Sequence, residues 1–345
     1  VTDSLLASAL EFQYRDGGLH FPRLGIWMDP KIPVRSSEWV FVSHAHSDHT
    51  ARHSAVILTE PTRRLMRSRI SGLRSERVLE FGQILRHWEL EPSPTQTPFN
   101  LSLHPAGHVL GSAMARLEAN GQSLLYTGDF KLRASKSSER CSPVHAETLI
   151  METTYGRPRY VFPPTDQVIE SVIQFCRTAL SENQIPVLVA YSLGKGQEIL
   201  ASLLEAGLPI QLHGSTAKLT EIYADFGCRF PEWTPLNPET ARGHVLITPT
   251  VRPLLSAQPS IGPLRIASLS GWALDNRSWG TPSSHHRFPL SDHADFTDLM
   301  KFVEAVQPKR VFTLHGFAAE FARHLRRQGV EAYALSEDDQ LELAL

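Results

Sequence analysis

The stretch "FVSHAHSDHT" (residues 41–50) places His44, His46, Asp48 and His49 within six positions, directly after an apolar run. It reads either as a polar loop rich in histidine or as a set of metal ligands. Imidazole nitrogen and carboxylate oxygen suit zinc and the neighbouring divalent metals. His44 and His46 stand two apart, so on extended backbone both side chains leave on one face. Asp48 and His49 lie past the bend, where they can serve a second ion. At this chain's His and Asp content a chance HxHxDH arises on the order of once in a thousand such sequences, which favours the metal reading.

Outward from this stretch, the same kind of ending recurs. "WVFVS" (39–43) predicts a buried strand that stops at the histidine cluster, and "LSLHPA" (101–106) one that stops just before His108. "MARLEANGQSLLYTGD" predicts a hairpin turning at Asn120-Gly121, whose second arm delivers Asp129. "ETLIMETTYG" (147–156) ends at Glu152 and "KRVFTLHG" (309–316) at His315. Strands that each finish at a His, Asp or Glu encode a site at one edge of a sheet.

Between them the rhythm changes. "TDQVIESVIQFCRTALSEN" (165–183) has helical spacing, with Val168, Val172, Ile173 and Phe175 on its apolar side. "IPVLVAYSLGKGQEILASLLEAG" (185–207) reads as strand, glycine-bearing loop and helix, and "HVLITPT" and "LRIASLSGW" as two further strands. The class is therefore α/β or α+β. "GRPRYVFPPT" (156–165) and "WGTPSSHHRFPL" (279–290) read as linkers into and out of this segment. Gly194, Lys195 and Gly196 can offer backbone N–H groups and an ammonium to a phosphate, or can simply start a helix. Ser270, at another strand end, is a further candidate for lining a substrate cleft.

The 345 residues exceed what one compact core usually organises, and the 41% hydrophobic content is that of a globular protein. No apolar run approaches the roughly 20 residues that span a bilayer, so no membrane partner is expected. The N-terminal "VTDSLLASALEFQYRDGG" lacks the basic flank of a signal peptide. Cys141, Cys176 and Cys228 are odd in number and far apart, which fits a reducing cytoplasm better than a disulfide framework. Lys+Arg is 34 against 36 Asp+Glu, so global charge announces no polyanion. Locally, "TRRLMRSRISGLRSER" (62–77) carries six arginines and one glutamate, either a solvated helix face or a phosphate-contacting surface.

The motifs "SHAHSDH", "GHVLGS" (107–112) and "YTGDF" (126–130) resemble those of the metallo-β-lactamase superfamily. Within it, Glu152 in "METTYG", "YSLGKGQEIL" (191–200), His293 in "LSDHADF" and His315 in "TLHG" resemble the β-CASP nucleases, in order through nearly the whole chain. "YTGDFKLR", "SLGKGQ", "SGW" and "LSDHADF" together look like the bacterial ligase-associated DNA exonuclease branch. The resemblance implies an αββα sandwich built from residues 1–160 and 286–345, with an α/β β-CASP domain inserted at 161–285.

It further implies two divalent ions, zinc or manganese, and a nucleic-acid substrate. His44, His46 and His108 would hold one ion, and Asp48, His49 and His315 the other, with Asp129 shared between them. Asp29 in "WMDP" would brace the ligand loop from behind. Two ions roughly 3.5–4 Å apart can supply a shared attacking hydroxide for in-line displacement at phosphorus. His293 would then donate the proton to the leaving oxygen, with Glu152 orienting it. The overall resemblance favours a DNA exonuclease, with an RNA-processing ribonuclease, endo- or exo-, as the alternative. A histidine at the position of His315 marks RNA-processing members, whereas the ligase-associated branch keeps one while acting on DNA and implies a DNA ligase or other repair protein as partner. Superfamily thioesterases and lactonases lack counterparts of Glu152, His293 and the middle segment, and non-catalytic relatives lose ligands that this chain retains.

Overall fold

Residues 8–34, 36–91, 97–275 and 285–335 are described by the computed structural model. The chain divides into two compact units, the first made of Val1–Ala134, Glu139–Arg159 and Ala294–Leu345, the second of Ser135–Ser138 and Tyr160–His293.

The first unit opens with β1 (Gln13–Arg15), β2 (Gly18–Phe21), β3 (Ile26–Met28), β4 (Trp39–Phe41), β5 (Ala55–Leu58), helix α1 (Glu60–Arg69) and β6 (Ser75–Val78). These strands pair in sequence order as one sheet. There follow β7 (Ile84–Arg86), β8 (Asn100–Pro105), β9 (Ala113–Ala119), β10 (Gln122–Tyr126) and β11 (Thr148–Glu152). The chain then builds the second unit from α2 (Thr165–Ser181), β12 (Ile185–Val189), α3 (Lys195–Ser202), β13 (Ile210–Leu212) and α4 (Gly214–Asp225). That unit continues with β14 (Trp233–Pro235), β15 (Val245–Thr248), α5 (Arg252–Ile261), β16 (Leu264–Leu269) and β17 (His286–Phe288). The last stretch returns to the first unit as α6 (Phe296–Val306), β18 (Arg310–Leu314), α7 (Ala318–Arg327) and β19 (Glu331–Ala334). The second sheet of the first unit runs β19-β18-β11-β10-β9-β8-β7, so the chain's closing strands complete it beside β11.

Two-residue alternation sorts the side chains of that sheet. Leu124, Tyr126, Ile150, Phe312 and Leu314 face the opening sheet and pack with Phe21, Ile26, Met28, Phe41 and Ile57. Leu125, Leu149, Met151 and Val311 point the other way, against Leu299, Phe302 and Val306 of α6 and Phe321 and Leu325 of α7. Each such side chain, removed from water, contributes about 1.5–3 kcal/mol before ordering costs. On the opening sheet's side, α1 buries Leu65 and Met66. Helices stacked on two sheets give the αββα sandwich.

The local signals have visible causes. Asn120 and Gly121 both take positive φ, 51° and 74°, as the two-residue turn between β9 and β10 requires. Helix α6 starts where the Asp295 carboxylate accepts from the Asp298 N–H at 2.9 Å, and it stops at left-handed Gln307.

The second unit is a parallel sheet ordered β14-β13-β15-β12-β16-β17. Val168, Val172, Phe175 and Cys176 of α2, with Ile199 and Leu200 of α3, cover one face, and Ile173 is partly buried there. Leu254 and Ile261 of α5 cover the other. Its end differs from the expected boundary at 285/286. β17 pairs with β16 and Leu290 sits in this unit's core, so the chain leaves the unit after His293. Positions 279–284 of the expected exit linker lie outside the described residues. Gly156–Arg159 of the expected entry linker belongs with the first unit and Tyr160 onward with the second. Among the described residues no helix is long and apolar enough to cross a membrane. Cys141 and Cys176 are buried thiols, each pushed up to about 12 by burial.

Candidate metal centre

The strand ends of the first unit bring the ligand candidates together. β4 runs into Ser43 and His44, and Ser43 ties the two sheets by accepting the Ala113 N–H at 2.9 Å. The following turn closes through His49 N–H to His46 O at 3.2 Å and the Thr50 hydroxyl to the same carbonyl at 2.9 Å. His108 sits in a loop after β8, where the Ser112 hydroxyl oxygen accepts from the N–H groups of His108 and Val109. Asp129 follows β10 across Gly128, at φ 53°, and a Cβ on that glycine would lie 2.6 Å from Ser43. Only glycine allows the loop this close to the ligand strand.

His44, His46, His108 and Asp129 present ligand atoms all within 4.8 Å of one another. His46 Nδ1 is 3.0 Å from both His44 Nε2 and His108 Nε2. The surroundings set which nitrogens carry lone pairs. Ser43 Oγ donates to Asp29 Oδ2 at 2.5 Å, so it accepts at 3.0 Å from His44 Nδ1–H, and His44 Nε2 faces the centre unprotonated. Lone pairs gathered at this range repel unless a cation lies among them. Nitrogens 2.0–2.1 Å from one tetrahedral zinc stand roughly 3.3 Å apart. The donor set therefore fits a divalent ion.

A second group adjoins the first through one carboxylate. Asp129 Oδ2 is 3.6 Å from His44 Nε2, 3.7 Å from His108 Nε2 and 3.3 Å from His49 Nε2. The His315 ring centroid is 5.9 Å from that of His49, at the left-handed turn that ends β18. Asp48 stands apart from the buried cluster. Its side chain is 65% exposed, with Oδ2 4.0 Å from His49 Nε2.

Electrostatics differ within the cluster. Burial holds the His44 imidazole well below its ordinary value, and the neighbouring His49, His108 and His46 push the same way. Burial also disfavours charge on His49, but Asp129 and Asp29 outweigh it and raise that ring well above its ordinary value. His315 is lowered by burial and then by His49.

Asp29, 2% exposed and at φ 48°, lies behind the ligands. It accepts from Ser43 N–H at 2.8 Å, from the Ser43 hydroxyl, from His49 Nδ1 at 2.9 Å and from the Tyr126 hydroxyl at 2.9 Å. Ser43 and Tyr126 escaped the sequence reading. Their signal was position: each stands beside a ligand motif, Ser43 directly before His44 and Tyr126 three before Asp129. Burial, and then Asp29, raise the Tyr126 phenol well above its ordinary range, so it stays a donor.

Glu152, 1% exposed at the end of β11, accepts from Phe130 N–H at 3.0 Å and from the Thr154 hydroxyl at 2.5 Å. Its carboxylate comes within 4.8 Å of that of Asp129. His293 closes the second unit, its backbone held by a reciprocal pair of hydrogen bonds with the Ser291 hydroxyl.

The glycine loop departs from expectation. Lys195 is 2% exposed, and its ammonium donates to Asp292 at 2.6 Å and to the Leu290 carbonyl at 3.1 Å. Gly194 N–H is taken by Gln197 Oε1 and Gly196 N–H by the Tyr191 carbonyl. A buried ammonium needs a carboxylate partner, so this loop turns inward and the phosphate-cradling reading is corrected. Ser270 caps a short 3₁₀ turn by accepting from Trp272 N–H at 3.2 Å. The arginine-rich stretch is largely answered by acids: Arg63 pairs with Glu60, Arg67 and Arg74 with Glu76, and Arg77 with Glu89.

Comparison with known proteins places these features. Residues 284–335 match the family described as the Zn-dependent metallo-hydrolase RNA specificity domain. A probable DNA ligase of Opitutus terrae is 48% identical over 329 residues, covering 95% of this chain and 31% of that protein. An RNase J-like protein of Methanocaldococcus jannaschii is 26% identical over 221 residues, covering 57% of this chain and 52% of that one. The chain thus spans about a third and about half of these relatives' lengths. A crystal structure of a protein of unknown function from Enterococcus faecalis shares the fold, with a TM-score of 0.57 at 14% identity over 87% of this chain and 79% of that one. The matched closing segment contains His293 and His315, and the Opitutus match extends over nearly the whole chain: the chain belongs to the β-CASP nuclease group of the metallo-β-lactamase superfamily.

Proposed function

We propose that the chain is a metal-dependent DNA exonuclease of this group, hydrolysing phosphodiester bonds from an end. The single observation that carries the reading is the position of Asp129. One buried carboxylate oxygen lies 3.3–3.7 Å from nitrogens of His44, His108 and His49, so two donor groups share it. When bound, two divalent ions supply Lewis acidity, easing deprotonation of a water and neutralising charge on the phosphate. Zinc suits the histidine-rich set, and manganese accepts the same ligands.

His44, His46 and His108 hold one ion in this reading, and Asp48, His49 and His315 the other. Asp29 and Ser43 hold the His49 and His44 rings with Nε2 presented. His293 is assigned the proton for the leaving oxygen and Glu152 the orienting carboxylate, on their motifs. The domain reading, a sandwich catalytic domain interrupted by a β-CASP insertion, goes with it. The name of the Opitutus relative supports DNA and a ligase-type repair partner. RNA is the second reading, favoured by the RNA specificity domain match and the RNase J-like relative.

The test is end-labelled single-stranded DNA and RNA of one sequence, incubated with purified protein of known metal content and added zinc or manganese. Stepwise shortening of DNA with RNA spared is expected. Cleavage of RNA instead overturns the DNA assignment, and cleavage of neither overturns the nuclease.

A further inference from the structure

Two segments of the first unit, more than 160 residues apart in sequence, meet at a strongly basic concavity. Arg157 and Arg159 come from the loop after β11, and Arg323, His324 and Arg327 from α7; together with Glu320 they line a cavity of about 360 Å³. The chain as a whole carries a net charge of −2, so this local excess is not inherited from composition. The one acid in the lining is already engaged, since Glu320 pairs with Arg157 at 2.5 Å, whose guanidinium lies 3.9 Å over the Phe317 ring.

Basic residues late in α7 also complement the helix dipole, which is the simplest account of them. That account does not reach Arg157 and Arg159, which belong to another segment, nor Arg323, which precedes the last turn. Arg326 is set aside for structure, donating to the Ala332 carbonyl at 2.6 Å. Arg323 and Arg327 are exposed and one helical turn apart, about 6 Å along the axis. Both segments leave directly from the metal centre: Arg157 follows Glu152 by five positions, and α7 begins three positions after His315.

We propose that Arg159, Arg323 and Arg327, beside the Arg157–Glu320 pair, form a guide for the phosphate backbone of single-stranded DNA flanking the scissile bond. The surface acts on affinity for long substrates and leaves the chemistry at the metal centre alone. This rests on the nuclease reading and adds a substrate subsite to it.

The test compares the metal-loaded wild type with R323E/R327E and R323K/R327K. Hydrolysis of bis(p-nitrophenyl) phosphate, which has no flanking backbone, reads the metal centre. Fluorescence anisotropy with phosphorothioate-linked dT20 across a salt series reads the guide. R323E/R327E should keep hydrolysis of the small diester, bind the oligonucleotide about tenfold or more weaker, and lower the log–log salt slope by at least about 1.4. R323K/R327K should restore most of the binding, because the contact is to charge. Unchanged oligonucleotide affinity and slope in R323E/R327E, with the small diester still cleaved, overturns the guide. Absence of any cleavage by the wild type overturns the nuclease reading while the binding data still decide the guide.

Discussion

The Asp29 carboxylate accepts a hydrogen bond from His49 Nδ1 at 2.9 Å, and the far nitrogen of that ring, Nε2, lies 3.3 Å from Asp129. One imidazole thus links the turn after β3 to the turn after β10, and Asp29 decides which of its nitrogens can bind a metal. Asp29→Asn and Asp29→Ala are both expected to lower metal affinity about 10–100-fold. The alanine variant also leaves the buried Ser43 N–H and Tyr126 hydroxyl unpaired, at about 1–3 kcal/mol each. Chelator competition and thermal melting measure the two effects, and wild-type affinity in Asp29→Asn would remove the orienting role.

Asp129 and Asp48 differ in burial, 8% against 65% side-chain exposure, and should differ in what their loss does to metal content. Both Asp129→Ala and Asp48→Ala are expected to abolish cleavage. Asp48→Ala should retain the ion held by the three clustered histidines, whereas Asp129→Ala weakens both sites. Elemental analysis of purified variants separates these outcomes, and full activity in either sinks the two-ion reading.

For His293→Ala, turnover should fall about 10²–10⁴-fold, as expected for removal of a general acid. Metal content should stay at the wild-type level. A variant that loses its metal would make His293 a ligand.

Arg63→Ala and Arg67→Ala are expected to leave the salt dependence of DNA binding nearly unchanged. Their guanidinium groups lie 2.6 Å and 2.5 Å from the carboxylates of Glu60 and Glu76, so little cationic charge is left to meet a phosphate. A reduced salt slope in the double variant would return this helix to the substrate surface.

Burial holds His53 down at about 4 against an ordinary value of 6.5, with Asp29 partly opposing the shift. Its Nδ1 accepts from Val34 N–H at 3.2 Å, which favours the neutral ring. Between pH 4 and 6.5 the unfolded chain therefore binds more protons at this residue than the folded one. Its contribution is complete above pH 6.5 and is lost as pH falls toward 4, with a limiting slope of about 1.4 kcal/mol per unit. Urea melts across this window should show a shallower dependence in His53→Gln, and an unchanged profile would contradict the shift.

How far the sequence reached differs from residue to residue. The candidate ligands were legible because they stand at or just past the end of an apolar run or a hairpin arm, and strand alternation is a local property that two-residue periodicity records. Asn120-Gly121 announced its turn through the positive φ that the turn demands. Lys195 was misread because a glycine-flanked lysine looks the same in sequence whether it meets a phosphate or a buried aspartate, and Asp292 lies 97 positions away.

By itself, then, the sequence determined an alternation of strands and helices, the candidate ligands at the strand ends and the order of the motifs, which rest on periodicity and residue chemistry within short windows, while the αββα class came through the family those motifs resemble. The tertiary structure alone decided that one Asp129 oxygen sits among nitrogens from both donor groups, that Ser43 and Tyr126 converge with His49 on Asp29, and that Arg63 and Arg67 of α1 pair with acids while Arg323 and Arg327 of α7 stand exposed at a cavity shared with the loop after β11. Each of these depends on contacts between strands and helices far apart in the chain, where only packing fixes the distance over which charge acts.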